Sequence, residues 1–199
     1  MKAESVAFAV AGMCFGIILG WVLATQEAAR SPAAPAVPAA APTAAGQRQA
    51  PALDEARVRA LQAAIEQDPG NAGNFAQLGN AYFDAEQWPN AIDSYERSLK
   101  LDPNNADVST DLGVSYYYTN RTDDALAQFE RSLKMSPNHT KTLLNKGIVL
   151  AFGKENLQAA AEEWKKVVAL SPDSPEGQAA RRALEGVAAA HAGQGTTNQ

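Results

Sequence analysis

The chain has 199 residues, a formal net charge of −5 and a single cysteine. Its lysines and arginines never cluster, so no face can neutralise a run of phosphates, and nucleic-acid binding is excluded. Cys14 has no partner for an internal disulfide, and with Met13 before it and the apolar run continuing past it, it does not fit a lipidation site.

A short tail, residues 1–5, leads into Val6–Thr25, which carries 20 residues without a charge. As a helix this segment spans about 30 Å, the thickness of a bilayer core, and it is longer than the apolar core of a cleaved signal. The expectation is an uncleaved transmembrane signal anchor over residues 6–25, with Val22–Ala24 as the cleavage alternative. Lys2 and the amino terminus precede it and only Arg30 follows closely, so the bulk of the chain is expected outside the cytoplasm, which in a bacterium is the periplasm. Gly12, Gly16 and Gly20 fall on one helix face, where a second helix can approach closely.

Residues 26–52 form an Ala/Pro-rich linker. Pro32, Pro35, Pro38 and Pro42 remove amide donors and block a helix that the alanines alone would favour. Such a chain is extended and reaches about 80 Å at ~3.1 Å per residue. After it the charge balance shifts: residues 53–199 hold 20 acidic and 14 basic side chains.

A leading helix is expected over residues 54–67. Three aligned segments follow, 72–105, 106–139 and 140–173, the third with one extra residue in the turn Phe152–Leu157, so that from Ala160 on its columns fall 35 rather than 34 residues after those of the second. In the first segment, the stretches Leu78–Ala85 and Ala91–Lys100 each place large apolar residues at i, i+3, i+4 and i+7, the stripe of an amphipathic helix. A 34-residue period with two helices per unit defines a helical-repeat solenoid. Gly79, Gly113 and Gly147 in the first helices face Ala91, Ala125 and Ala160 in the second, which permits close packing. The prolines 103, 137 and 172 end each second helix. Asn120 stands where the turn of the second repeat needs a left-handed residue. A capping helix is expected over 174–190, with Leu184 and Val187 turned inward, and a disordered tail over 191–199.

The columns Leu78/Leu112, Gly79/Gly113/Gly147, Tyr82/Tyr116, Ala91/Ala125/Ala160, Tyr95/Phe129/Trp164 and Pro103/Pro137/Pro172 resemble the tetratricopeptide repeat (TPR) family. The third repeat departs from the pattern, with Lys146 at the leucine position before the glycine. The resemblance implies an all-α solenoid of three repeats plus flanking helices, covering residues 53–190. It also implies that the first helix of each repeat lines a concave groove. The positions that would face a protein or peptide partner there include Asn80, Phe83, Asp84, Tyr117, Tyr118, Lys141, Leu144 and Phe152. Phe83, Tyr117, Tyr118 and Phe152 would form an apolar trough, with Asn80 and Lys141 as polar handles. Val114 and Ile148 stand where a terminal-carboxylate clamp would need polar side chains, which disfavours a chaperone-tail receptor.

No catalytic constellation is present. His139 and His191 lack a second histidine or cysteine at ligand spacing, so neither a metal nor a cofactor is expected. The expected function is a non-enzymatic, membrane-tethered scaffold for protein–protein interaction. Its layout resembles periplasmic repeat proteins that assist envelope protein assembly, including those of cytochrome c maturation. A structural homo-oligomer driven by the glycine face of the membrane helix is the alternative.

Overall fold

The computed structural model of the protein describes residues 50–195, with side chains as far as Ala189. The expected membrane span, its glycine face, Cys14 and the linker up to residue 49 lie outside the described residues, as do the last four positions. Among the described residues, no helix is long and apolar enough to cross a membrane.

Eight α-helices make up this part of the chain: α1 Glu55–Gln67, α2 Ala72–Asp84, α3 Trp88–Leu101, α4 Ala106–Tyr118, α5 Thr122–Met135, α6 Thr140–Gly153, α7 Leu157–Leu170 and α8 Pro175–Gly195. The helix starts follow from capping chemistry. Asp54, Asn71, Asn105 and Asn156 each accept a backbone N–H of the first turn with a side-chain oxygen. His139 occupies the corresponding place before α6, makes no such cap, and is used differently, as described below.

The helices pack as the pairs α2/α3, α4/α5 and α6/α7, flanked by α1 on α2 and by α8 on α7 and α6. Within each pair the glycine of the first helix lies under an aromatic ring of the second. A Cβ on Gly79 would stand 2.5 Å from Tyr95, and one on Gly113 would stand 2.6 Å from Phe129; Gly147 meets Trp164 in the same way. Ala91, Ala125 and Ala160 are fully buried at these crossings. The all-α repeat solenoid expected from the sequence is therefore the fold observed, and the glycines and alanines set how closely its helices approach.

The turns inside the three pairs share one device. Glu86, Asn120 and Glu155 have φ of 56°, 63° and 54°, the left-handed region that asparagine tolerates and glutamate disfavours. The extra residue of the third repeat leaves this turn intact. It is taken up in the last turn of α6, where the Lys154 N–H donates to Val149 O, five residues back (3.2 Å), rather than four. The closing bond of the turn lengthens accordingly. Gln87 and Arg121 N–H groups donate to Tyr82 and Tyr116, whereas Asn156 donates to Leu150.

Leu184 and Val187 of α8 pack against the last core cluster, which includes Trp164 and Val167, while Arg181 and Arg182 stay exposed. The helix runs to Gly195, five residues beyond the end expected at 190. The alanine-rich stretch Ala188–Ala192 sustains it, since alanine has the strongest intrinsic helix preference.

Candidate functional site

The face presented by α2, α4 and α6 carries a continuous row of aromatic rings. Phe83 of α2 meets Trp88, the first residue of α3, edge-on at 5.1 Å. Trp88 stacks flat on Tyr118 of α4, with centroids 4.3 Å apart and planes 9° off parallel. Tyr118 in turn tilts against Tyr117 at 5.8 Å. The close approach of α6 to this row depends on Gly153, where a Cβ would stand 3.1 Å from the Tyr117 ring. Tyr118 is 54% exposed, and Phe152, in the last turn of α6, is 50% exposed. Three of the expected residues, Phe83, Tyr117 and Tyr118, are thus joined. The residue that joins them, Trp88, was not among those expected. Its signal in the sequence is a large aromatic beside Pro89 at a helix start.

The polar residues expected on this face are engaged within the domain. Asn80 accepts a hydrogen bond from the Tyr95 hydroxyl (2.8 Å). Burial, with Asp111 and Asp84 adding to it, pushes the Tyr95 phenol well above its usual range, so it stays a donor. Asp84 pairs with Arg57 of α1 (3.3 Å). Lys141 pairs with Asp111 (2.7 Å), whose carboxyl burial raises and Lys141 partly restores. Leu144 is half-buried against the last core cluster, and its carbonyl accepts the Trp164 indole N–H (3.2 Å).

Beneath this face lies a cluster of buried hydroxyls. The Thr142 Oγ1 is 2.6 Å from Thr110 Oγ1 and 2.9 Å from Ser132 Oγ, and all three residues are fully buried. His139 closes the cluster, with Nδ1 2.6 Å from Thr142 Oγ1 and Nε2 3.1 Å from Asp107. A hydroxyl, an imidazole and a carboxylate in series form the relay used for acyl transfer. Here the hydroxyl has no exposed surface for a substrate, and the chain of bonds staples α4 to α5 and α6.

Lys146, the departure from the repeat pattern, takes a position where Leu78 and Leu112 are buried. Its Nζ reaches Glu163 of α7 (2.8 Å) and Glu130 of α5, and Lys166 completes the group on Glu163 (2.8 Å). Burial opposes charge on both central partners. The hydrogen bonds outweigh it, holding Lys146 above and Glu163 below their ordinary values. A cavity of about 380 Å³ opens at the other end of the stack, floored by Ile65, Phe75, Leu78 and Tyr82 between α1 and α3. In the second repeat, bonds from Gln128 to Ser109 and from Tyr116 to Glu96 cross the corresponding space. Among the described residues, no group of His, Cys, Asp and Glu could hold a metal ion.

Paired helices on a 34-residue period, with an aromatic row along one face, define a helical-repeat module. Two family models match the chain: TPR repeat over residues 79–119 and tetratricopeptide repeat over residues 110–175. Residues 79–175 of this domain thus match models of the tetratricopeptide repeat. Solved structures share its fold. The first TPR domain of human RPAP3 matches with a TM-score of 0.57 at 23% identity, over 64% of this chain and 98% of that one. MamA matches with a TM-score of 0.56 at 17% identity, over 70% of this chain and 89% of that one. The TPR domain of Arabidopsis OM64 matches with a TM-score of 0.53 at 18% identity, over 57% and 93%. A structure of the first TPR domain of Spaghetti (RPAP3) holds an HSP90 peptide, SRMEEVD, and matches with a TM-score of 0.55 at 23% identity, over 61% and 93%. A comparison with curated protein sequences finds no match.

Proposed function

We propose that this protein is a non-enzymatic scaffold that holds a segment of a partner protein against the face of α2, α4 and α6. The observation that carries this reading is the row Phe83–Trp88–Tyr118–Tyr117, whose outer ring, Tyr118, is more than half exposed. Aromatic rings on a rigid scaffold give a partner large contact area without ordering cost on the scaffold side. The apolar run at residues 6–25 tethers the domain to a membrane, with the repeats on the periplasmic side of a bacterial inner membrane. The linker gives the domain reach from that surface. An acidic tail such as the HSP90 peptide bound by the RPAP3 relative is a poor match for this chain. Lys141 is taken by Asp111, and Val114 and Ile148 supply no polar group at the neighbouring positions.

A random-peptide library selected on the immobilised full chain tests the reading. Peptides should be enriched, and their binding should fall at least about tenfold on Phe83→Ala with Tyr117→Ala, in variants whose helical circular dichroism is unchanged. Enriched peptides held equally well by the double variant would place binding elsewhere and contradict the reading.

A further inference from the structure

We infer that the segment docked on this face is cationic and sets an arginine or lysine side chain on the open face of Tyr118. The inference rests on the scaffold reading above and names the chemistry of its partner.

The charge around the aromatic row is unbalanced. Five acids border it: Asp84 and Glu86 at the first turn, Asp123 and Asp124 at the second, and Glu155 at the third. Three bases accompany them, and each is already committed: Arg57 to Asp84, Arg121 to Asp124 and Lys154 to Asp123. Among the described residues no ion pair uses Glu86 or Glu155, and both side chains are exposed. The face therefore offers two negative charges and no unpaired positive one, so an anionic segment would meet only repulsion. Both glutamates also sit at φ near 55°, a conformation glutamate disfavours, where the second repeat has asparagine. A residue kept where its backbone is unfavourable points to a use for its side chain.

The ring supplies the second half of the argument. One face of Tyr118 lies on Trp88 and Tyr117 tilts against it at 5.8 Å, yet the residue stays 54% exposed, so what its ring shows to solvent is on the side away from Trp88. A ring open to solvent on a surface whose inter-helix turns carry unpaired carboxylates is an arrangement that attracts a guanidinium or ammonium group. The chain already makes this contact within itself, since the Arg121 guanidinium lies 4.1 Å over the Tyr116 ring.

Three fluorescein-labelled peptides of identical length test the inference on the full chain. One alternates arginine with alanine, one has every arginine replaced by citrulline, and one has every arginine replaced by glutamate. The arginine peptide should bind at least about fivefold more tightly than the citrulline peptide, and more weakly as salt rises. The glutamate peptide should not bind. Tyr118→Leu, which keeps apolar bulk but removes the π face, should lower the arginine peptide's affinity, as should Glu86→Gln with Glu155→Gln. Glu55→Gln with Asp102→Asn, acids away from the row, should leave it unchanged. Equal affinity for arginine and citrulline peptides overturns the inference, and so does an effect of the control variant equal to that of Tyr118→Leu. If the library instead yields neutral or acidic peptides that depend on Phe83 and Tyr117, the cationic assignment falls and the scaffold reading stands. If no peptide depends on the row, both fall.

Discussion

At Gly113 the repeat pattern becomes a distance. A methyl group there would lie 2.6 Å from the buried Phe129 ring, so Gly113→Ala trades a helix gain of up to ~1 kcal/mol for overpacking. We expect a net loss of about 2 kcal/mol in urea unfolding. Gly186 in α8 has nothing within 4 Å of the same position, and Gly186→Ala should gain about 0.5–1 kcal/mol. These columns were legible in the sequence because they recur at a fixed spacing and serve the same contact in every repeat. Asn120 was legible for another reason, asparagine's tolerance of the left-handed region, and its φ of 63° bears the expectation out. Glu86 and Glu155 were not. Glutamate carries no left-handed preference of its own, and only the geometry of the completed turn places it there.

Between elements the sequence was less informative. Lys146 could be read as a departure from the pattern, but its partners Glu130 and Glu163 come from two other helices, and no periodicity links them. The group ties α5, α6 and α7 together. Lys146→Ala would leave the buried Glu163 carboxylate with Lys166 alone and should cost about 3 kcal/mol. Lys146→Leu with Glu163→Gln restores the apolar type of the other repeats and should recover most of that loss. The pH dependence follows in sign. Glu163 titrates below its ordinary 4.5, so its contribution is present above pH 4.5 and is lost as the pH falls through the lower folded value. Acid unfolding should therefore steepen below pH 4.5 in the natural chain and flatten in Glu163→Gln. Lys146, held above 10.5, adds stability that persists to that pH and fades only above it. The hydroxyl staple around Thr142 was missed for the same reason as this group: its members come from α4, α5 and α6, and His139, in the turn before α6, shows no partner in the sequence.

For the whole chain, the repeat domain, its flanking helices and its all-α class were readable from the 34-residue period. The site was readable only in part. Residues placed by the repeat register, such as Phe83 and Tyr117, could be named, while Trp88 could not, because it reaches the row from the start of a second helix. Asn80 and Lys141 looked like free polar handles in one dimension and prove to be bonded to Tyr95 and Asp111 in three. The surface proposed to bind a partner is thus more apolar, and more negative at its border, than the sequence suggested. The central claim is that a partner segment lies across α2, α4 and α6. It is tested most directly by photo-crosslinking a library-selected peptide carrying a diazirine to the full chain and mapping the adducts by mass spectrometry. The account predicts adducts within residues 80–88, 114–118 and 148–153. Adducts concentrated instead at the cavity between α1 and α3, on Gln62, Asn90 or Arg97, would contradict it.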